Sequence, residues 1–408
     1  VSGAVPSVPG VLLVWGAAGA LTLVGALVLA ELSSAFPRSG GVYVYLREAY
    51  SPAIAYMWGW AMFWVMHSGI IAAIGNVFGT YVGHFVPLDQ TGTRLVGAGA
   101  IVALSAVNYV GVRHGSAVQT FFTVVKLVAV AAIIVAGAWF LVAHGFAVSR
   151  VPSAESRVTI GSFATATAAG LFAYGGWHMV TYASEETKDS MRTIPRALLI
   201  GAIVVTVAYI GVNAAYLAVL PLDTVAQSTR VAADFADAVT GSAIGGQALS
   251  ILVILSSLGA MTGIILAGPR AYMAMAQDGL LFRWAAKLHP RYRTPHIAIA
   301  LQGVWSVVLV LTGSYRALFT RVVYTEWVFF ALVAASLFFL RRRAGYKPLY
   351  RVWGFPVLPG IFVLSSAAIV LHEIVKAPAE SLTGLGLVAA GLPVYWIWTR
   401  LATPKSVN

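Results

Sequence analysis

Few side chains in this chain are placed to do chemistry. There is no cysteine, the eight histidines are scattered, and no His-Glu-x-x-His, Gly-x-Ser-x-Gly or phosphate-loop pattern occurs. Without a clustered acid–base, nucleophilic or metal-ligating set, enzyme readings do poorly and no cofactor is implied. The chemistry on offer belongs to the backbone. In residues 161–196 an apolar stretch of membrane length is broken at its middle by Gly175-Gly176, bracketed by Phe172, Tyr174 and Trp177. Dense charge follows, in Glu185, Glu186, Lys188, Asp189, Arg192 and Arg196. Paired glycines there free N–H and C=O groups that hydrocarbon cannot satisfy, so they must face protein, water or a ligand. Such discontinuous helices stand at the substrate sites of secondary transporters, where half-helix ends meet charged substrate groups. The competing reading is close packing, since glycine lets membrane helices approach. The aromatic bracket and the charge beyond it favour a site.

A few polar residues sit alone in apolar surroundings. Lys126 lies mid-span, where a lysine is costly and faces a cavity or a partner. Glu326, six residues past Thr320, is read as the partner of Arg321 or of a basic residue on another helix, with lining of an outer vestibule as the second reading. His67, Ser68 and Asn76 are expected to satisfy interhelical hydrogen bonds, with a cavity-facing position for one of them as the alternative. Glu31, Glu185 and Glu186 fall among arginines at span ends and read as inner-gate or topology-fixing ion pairs. Gly75-x-x-x-Gly79 fits helix packing, and Gly97-Ala-Gly99 has no strand before it, so it is not a nucleotide loop.

The elements that position these groups are membrane helices. The chain is 59% hydrophobic and 10% charged, with mean hydropathy +0.84, whereas a soluble domain carries about 25% charge. The net charge of +12 does not point to nucleic acid, because the charges lie at span ends and no solvated basic domain exists. Apolar runs predict eleven spans: 11–36, 52–84, 95–112, 115–143, the broken 161–185, 195–219, 243–268, 296–312, 320–340, 353–372 and 381–399. Each is near or above the ~20 residues needed to cross, and 52–84 and 115–143 must tilt or protrude. Pro195 is expected to open the sixth span, and 220–241 to be a surface loop with a short helix.

Lysine and arginine set the orientation. With the loop after the first span cytoplasmic, that side gathers Arg38, Arg47, Arg113, Lys188, Arg192, Arg196, Arg270, Arg283, Lys287, Arg291, Arg293, Arg341, Arg342, Arg343, Lys347 and Arg351, plus Arg400 and Lys405 in the tail. The other side holds only Arg94, Arg150, Arg157, Arg230, Arg316, Arg321 and Lys376. The C-terminus is therefore expected inside and residue 1 outside. No signal peptide precedes the first span, and an odd number of spans starting outside leads to the expectation that one span is missing before residue 1.

Three segments carry a family resemblance: Ala30-Glu31-Leu32 through Pro37-Arg38-Ser39-Gly40-Gly41; Leu171 through Trp177; and Glu185-Glu186-Thr187-Lys188 through Arg192-Thr193-Ile194-Pro195-Arg196. Together they make the chain resemble, end to end, the amino acid–polyamine–organocation transporters, close to the bacterial relatives of the L-type amino acid exchangers. The resemblance implies an all-α polytopic membrane protein of the LeuT-type fold, with two inverted five-helix repeats and two further helices. The chain then reads as one domain: a truncated first repeat over 1–143, a second repeat over 161–341 with its broken helix at 161–185, and two additional helices over 352–400. The first repeat's own broken helix, with its Gly-Ser-Gly-Ile-Phe-like break, has no counterpart here.

The resemblance also implies roles. The substrate ammonium would be received by backbone carbonyls within Phe172, Ala173, Tyr174, Gly175, Gly176, Trp177 and His178. Phe172 would act as an aromatic gate, with packing as its alternative, and Trp177 reads rather as a packing anchor. His178 stands where the L-type exchangers often have asparagine, so it either contacts substrate or bonds a neighbouring helix. The Lys126 ammonium would take the place of sodium in sodium-coupled relatives, with Ser256 and Ser257 as hydroxyl partners. The function expected is a sodium-independent permease or exchanger of neutral L-amino acids in the inner membrane, whose partners are its small-molecule substrate and the lipid bilayer. The alternatives are a transporter of cationic amino acids or polyamines, for which Glu326 is the visible cavity carboxylate, and a truncated homologue that does not transport.

Overall fold

The computed structural model describes residues 1–111, 115–145, 158–313 and 315–402, and within the helices the side chains of 115–119, 121, 315–323, 380, 401 and 402 lie outside the description. Arg113, Arg150, Arg157 and Lys405, and the side chains of Arg316 and Arg321, therefore fall outside it. Every regular element described is helical. In chain order these are α1 (Val8–Ala35), α2 (Val42–Ala49), α3 (Pro52–Ala61), α4 (His67–Val82), α5 (Gln90–Val110), α6 (Gly115–His144), α7 (Ile160–Ala173) and α8 (Ser190–Val219). They continue as α9 (Leu222–Gln227), α10 (Val231–Thr240), α11 (Ala243–Gln277), α12 (His296–Thr312), α13 (Tyr315–Leu340), α14 (Val357–Lys376), α15 (Pro378–Ala389) and α16 (Gly391–Ala402). A π-helical turn, Met62–Met66, joins α3 to α4, and a 3-10 helix, Trp177–Glu186, follows α7.

Eight of the helical stretches are long and apolar enough to cross a membrane, and His296–Thr312 and Tyr324–Leu340 are shorter apolar helices. Local sequence accounts for several of their ends. Ser7 caps α1 by accepting from the Gly10 N–H, Ser51 does the same for α3 and Asp89 for α5. Three expected boundaries move. The sixth span begins at Ser190, so Pro195 lies inside α8 rather than opening it; the chain turns earlier, because Asp189 adopts a left-handed φ of 47° and its carbonyl already accepts from Arg192 and Thr193. The seventh span runs on past residue 268 to Gln277, through Pro269. The last is divided at Ala390 into α15 and α16.

The core is built along α1, which packs down the length of α8 and against α7 and α14. A main apolar cluster joins α1, α2, α3 and the π-helical turn with α7, α8, α11, α13 and α14, and a second joins α4, α5, α11 and α12. Outward faces of α5, α6 and α8 expose large apolar side chains such as Val102, Val135, Trp139, Ile200 and Val207. On a water-soluble protein such faces would be a liability; on a membrane protein they meet lipid. One charge pair is deeply buried: Glu31, with no exposed surface, takes two hydrogen bonds from Arg341, at 2.9 and 2.5 Å, and one each from the Tyr346 hydroxyl and the Val352 N–H. Four donors satisfy the carboxylate, which is what a buried charge requires.

Candidate functional site

The break in the fifth span is real and is held open from both sides. α7 starts with a capping box in which Thr159 accepts from the Ser162 N–H and Ser162 from the Thr159 N–H. It stops at Ala173. Gly176 has φ 90°, which a residue with a Cβ rarely adopts, and the chain resumes as the tighter 3-10 helix. Backbone bonds across the turn are partial: Tyr174 N–H reaches Gly170 O, Gly175 N–H reaches Phe172 O, and Met179 N–H reaches Gly176 O. Among the described residues no donor reaches the Tyr174 or Gly175 carbonyls, and Gly175 is exposed.

The other groups at the break come from distant helices. Tyr209 of α8 donates its hydroxyl to Ala173 O at 2.8 Å. Tyr174 donates its own to Trp15 O of α1 at 3.0 Å. Trp15, Tyr174 and Tyr209 form a ring cluster with centroids 4.9–6.1 Å apart. Trp177 packs over Gly25, where an added Cβ would lie 2.6 Å from the indole, and against Phe330. Phe172 is half-buried and touches both the main and the second apolar cluster, so it sits where the two meet. Trp15 and Tyr209 were not singled out from sequence, since an aromatic residue in an apolar helix carries no local mark of a partner far along the chain.

His178 does not line an open space. It is fully buried inside a box of Trp58, Trp177, Tyr182, Phe330 and His67, and neither ring nitrogen has a hydrogen-bond partner among the described residues. His67 is in the same condition, so the interhelical bond expected of it is not formed. Ser68 and Asn76 bond within their own stretch, to Phe63 O and Ala72 O. Glu326 is 4% exposed, enclosed rather than lining a vestibule, and no ion pair reaches it among the described side chains.

Lys126 is half-buried on α6, and among the described residues no hydrogen bond or ion pair reaches its ammonium. Phe122, one turn earlier on the same face, packs against Gly259 of α11, where an added Cβ would lie 3.1 Å from the ring. This puts Lys126 on the face turned to α11, the helix that carries Ser256 and Ser257. The structure joins it to neither: Ser257 donates to Val253 O of its own helix.

The Arg-rich end is closed by polar contacts. Arg270 of α11 donates two hydrogen bonds to Glu186, at 2.7 and 2.8 Å, and these hold the Glu186 carboxyl below its ordinary range. Ser39 accepts from the Glu185 N–H. Asp278, at the end of α11, pairs with Arg47 at 2.5 Å and Arg38 at 3.4 Å and accepts from the Tyr43 hydroxyl at 2.8 Å. Glu186 thus makes an ion pair as expected of it, whereas at Glu185 it is the backbone N–H that makes the contact and no ion pair reaches its carboxylate among the described residues; Asp278 is the carboxylate at their side that the sequence did not mark. Among the described residues no cluster of His, Asp or Glu gathers that would hold a metal ion.

Comparison with known proteins agrees with this architecture. The family model described as amino acid permease matches residues 2–397. The serine/threonine exchanger SteT of Bacillus subtilis (strain 168) is 32% identical over 389 residues, covering 94% of this chain and 87% of that protein. The b(0,+)-type amino acid transporter 1 of Homo sapiens is 33% identical over 398 residues, 95% of this chain and 80% of that protein. The large neutral amino acids transporter small subunit 2 of Rattus norvegicus is 29% identical over 417 residues, 97% and 75% respectively.

Proposed function

The chain belongs to the amino acid permease family, and from that premise we propose that it carries neutral L-amino acids across the inner membrane by sodium-independent alternating access. It is a membrane amino acid transporter and not an enzyme. The observation that carries the finer reading is the open turn at Tyr174–Gly176, whose unclaimed carbonyls are offered by a helix end that α1 and α8 hold in place. Carbonyls of this kind receive an ammonium group without reading the side chain attached to it. Two relatives, one a serine/threonine exchanger and the other a large neutral amino acids transporter, favour neutral side chains.

In this reading Phe172, at the meeting of the two apolar clusters, closes over the ligand. The half-site is completed by Ala173, Tyr174, Gly175, Gly176 and Trp177, with His178 behind them. The Lys126 ammonium supplies the fixed positive charge that sodium supplies elsewhere, and it reaches Ser256 or Ser257 when α6 and α11 close on each other. The Arg-rich end, with the C-terminus, faces the cytoplasm, so the contacts of Glu186 and Asp278 form the inner closure.

Uptake of labelled amino acids into proteoliposomes, with and without sodium and with internal amino acid, tests this. Neutral amino acid uptake that ignores sodium and is lost in Lys126→Ala is the expected result. Strict sodium dependence sinks the role of Lys126. Uptake of cationic substrates alone supports the second reading, for which the enclosed Glu326, its Oε1 without a partner among the described residues, is the favouring observation.

A further inference from the structure

On the Arg-rich side, the end of α11 borders a recess that the half-site does not use. It lies between α3 with its π-helical turn, α11, the short 3-10 helix Arg283–Ala286 and α12, and it holds about 180 Å³. Its walls are mostly rings: Trp60, Phe63 and Trp64 from α3 and the turn, Tyr272 from α11 and Trp284 from the short helix, with Leu301 of α12 beside them. Trp284 and Leu301 remain 38% and 42% exposed. The recess therefore opens onto the outer surface of membrane helices, where lipid lies, and not onto the broken span.

Local structure presents those rings. The turn Met62–Met66 is π-helical, a rare form that occurs mostly as single turns at functional sites. Its carbonyls are claimed from within the protein: Ser68 donates its hydroxyl to Phe63 O at 2.7 Å, and the Trp305 indole N–H donates to Trp64 O at 2.9 Å. The turn is thus satisfied as backbone and offers the recess aromatic surface. At the mouth, the short helix carries Arg283 directly before Trp284, and Lys287 follows one turn later. Both cations are exposed, and among the described residues no ion pair reaches either. Asp278, the carboxylate nearest to them in sequence, is already held by Arg47 and Arg38.

An apolar recess open to lipid, with two unanswered cations at its mouth, suits a molecule with an apolar chain and an anionic head. A water-soluble anion would leave the rings bare, and a zwitterionic lipid would leave the cations without net countercharge. Aromatic side chains beside Lys and Arg are also what the membrane–water interface selects. We propose that this recess binds an anionic phospholipid of the leaflet on the Arg-rich side, with a stretch of one acyl chain among the rings and the phosphate on Arg283 and Lys287. A basic side chain at a membrane surface favours an anionic headgroup about fivefold, so two favour it roughly twenty-fivefold. The site follows from the membrane placement of the chain and is independent of which amino acid is carried.

Brominated lipids, which quench tryptophan on contact, test this on the full protein in phosphatidylcholine vesicles. Brominated phosphatidylglycerol, or brominated phosphatidylcholine with the same chains, replaces a rising fraction of the lipid. Trp60, Trp64 and Trp284 report on the recess. The expected result is a saturating component with phosphatidylglycerol, at a relative affinity roughly twenty-fivefold above phosphatidylcholine. The double variant Arg283→Gln/Lys287→Gln should lose that preference. Arg283→Gln alone, the second variant should the double one fail to fold, should lose about fivefold of it. Trp64→Phe with Trp284→Phe removes reporters and should shrink the saturating component. One common curve for both lipids overturns the site. A preference that survives in the arginine and lysine variants overturns the headgroup assignment. A saturating component undiminished without Trp64 and Trp284 puts the lipid elsewhere and overturns the recess. Shielding of these tryptophans from both lipids in a protein that light scattering shows to be a dimer gives the recess to a second copy and overturns the proposal as well.

Discussion

Tyr209 is the residue that turns a helix break into a defined turn. Its hydroxyl occupies the Ala173 carbonyl, which leaves the next two carbonyls as the ones that a ligand would meet on the proposed reading. Tyr209→Phe removes that donor and nothing else, so the expected cost is about 1 kcal/mol of stability, read as a drop of a few degrees in a thermal melt. Uptake should weaken through a higher KM, because the turn becomes free to reorient; an unchanged KM would show that Tyr209 only packs. The paired glycines were legible because two adjacent glycines inside an apolar run have few uses. Tyr209 and Trp15 were not, since their roles depend on which helices lie side by side. The same limit hid the environment of Glu326. Its sequence neighbours include Arg321, and only the fold shows that the helix carrying it is packed so that Glu326 is 4% exposed.

At the scale of elements, the helices were legible from apolar length alone, but that length did not fix their ends: the side-chain caps Ser7 and Asp89 start α1 and α5 ahead of the expected 11 and 95. They were misread where backbone geometry decides, as at Asp189, or where the hydropathy does not change, as at Ala390. On the proposed reading the broken span is the element that transport turns on, with Gly176 as its pivot. In Gly176→Ala a side chain must adopt φ 90°, which costs roughly 1–2 kcal/mol, although the space around it is open apart from Met179. The variant should therefore insert and fold, with a modest loss of melting temperature, yet transport far more slowly because the turn regularises toward helix. Normal turnover in a well-folded Gly176→Ala protein would remove the break from the mechanism.

At the scale of the whole molecule, apart from groups such as Lys126 and Glu326 within spans, the charged residues lie chiefly at span ends and gather mainly on one side. Glu186 with Arg270, and Asp278 with Arg38 and Arg47, tie the broken helix, α11 and the segment around α2 together at the Arg-rich face. Because Arg270 holds the Glu186 carboxyl below its ordinary range, that tie is complete above the usual carboxylate pKa and is lost only as pH falls through the lowered value. These groups are partly exposed, with Arg38 at 49% and Glu186 at 58%, so dissolved ions reach them. The Debye length falls from about 10 Å at 0.1 M salt to about 3 Å at 1 M, enough to weaken pairs of this kind. The closure on the Arg-rich side is thus an ionic lock with its keyhole on one side of the bilayer. Concentrated salt confined to the vesicle face that carries the arginines should speed opening there, while the same salt on the opposite face, with osmolarity matched, should leave the rate unchanged.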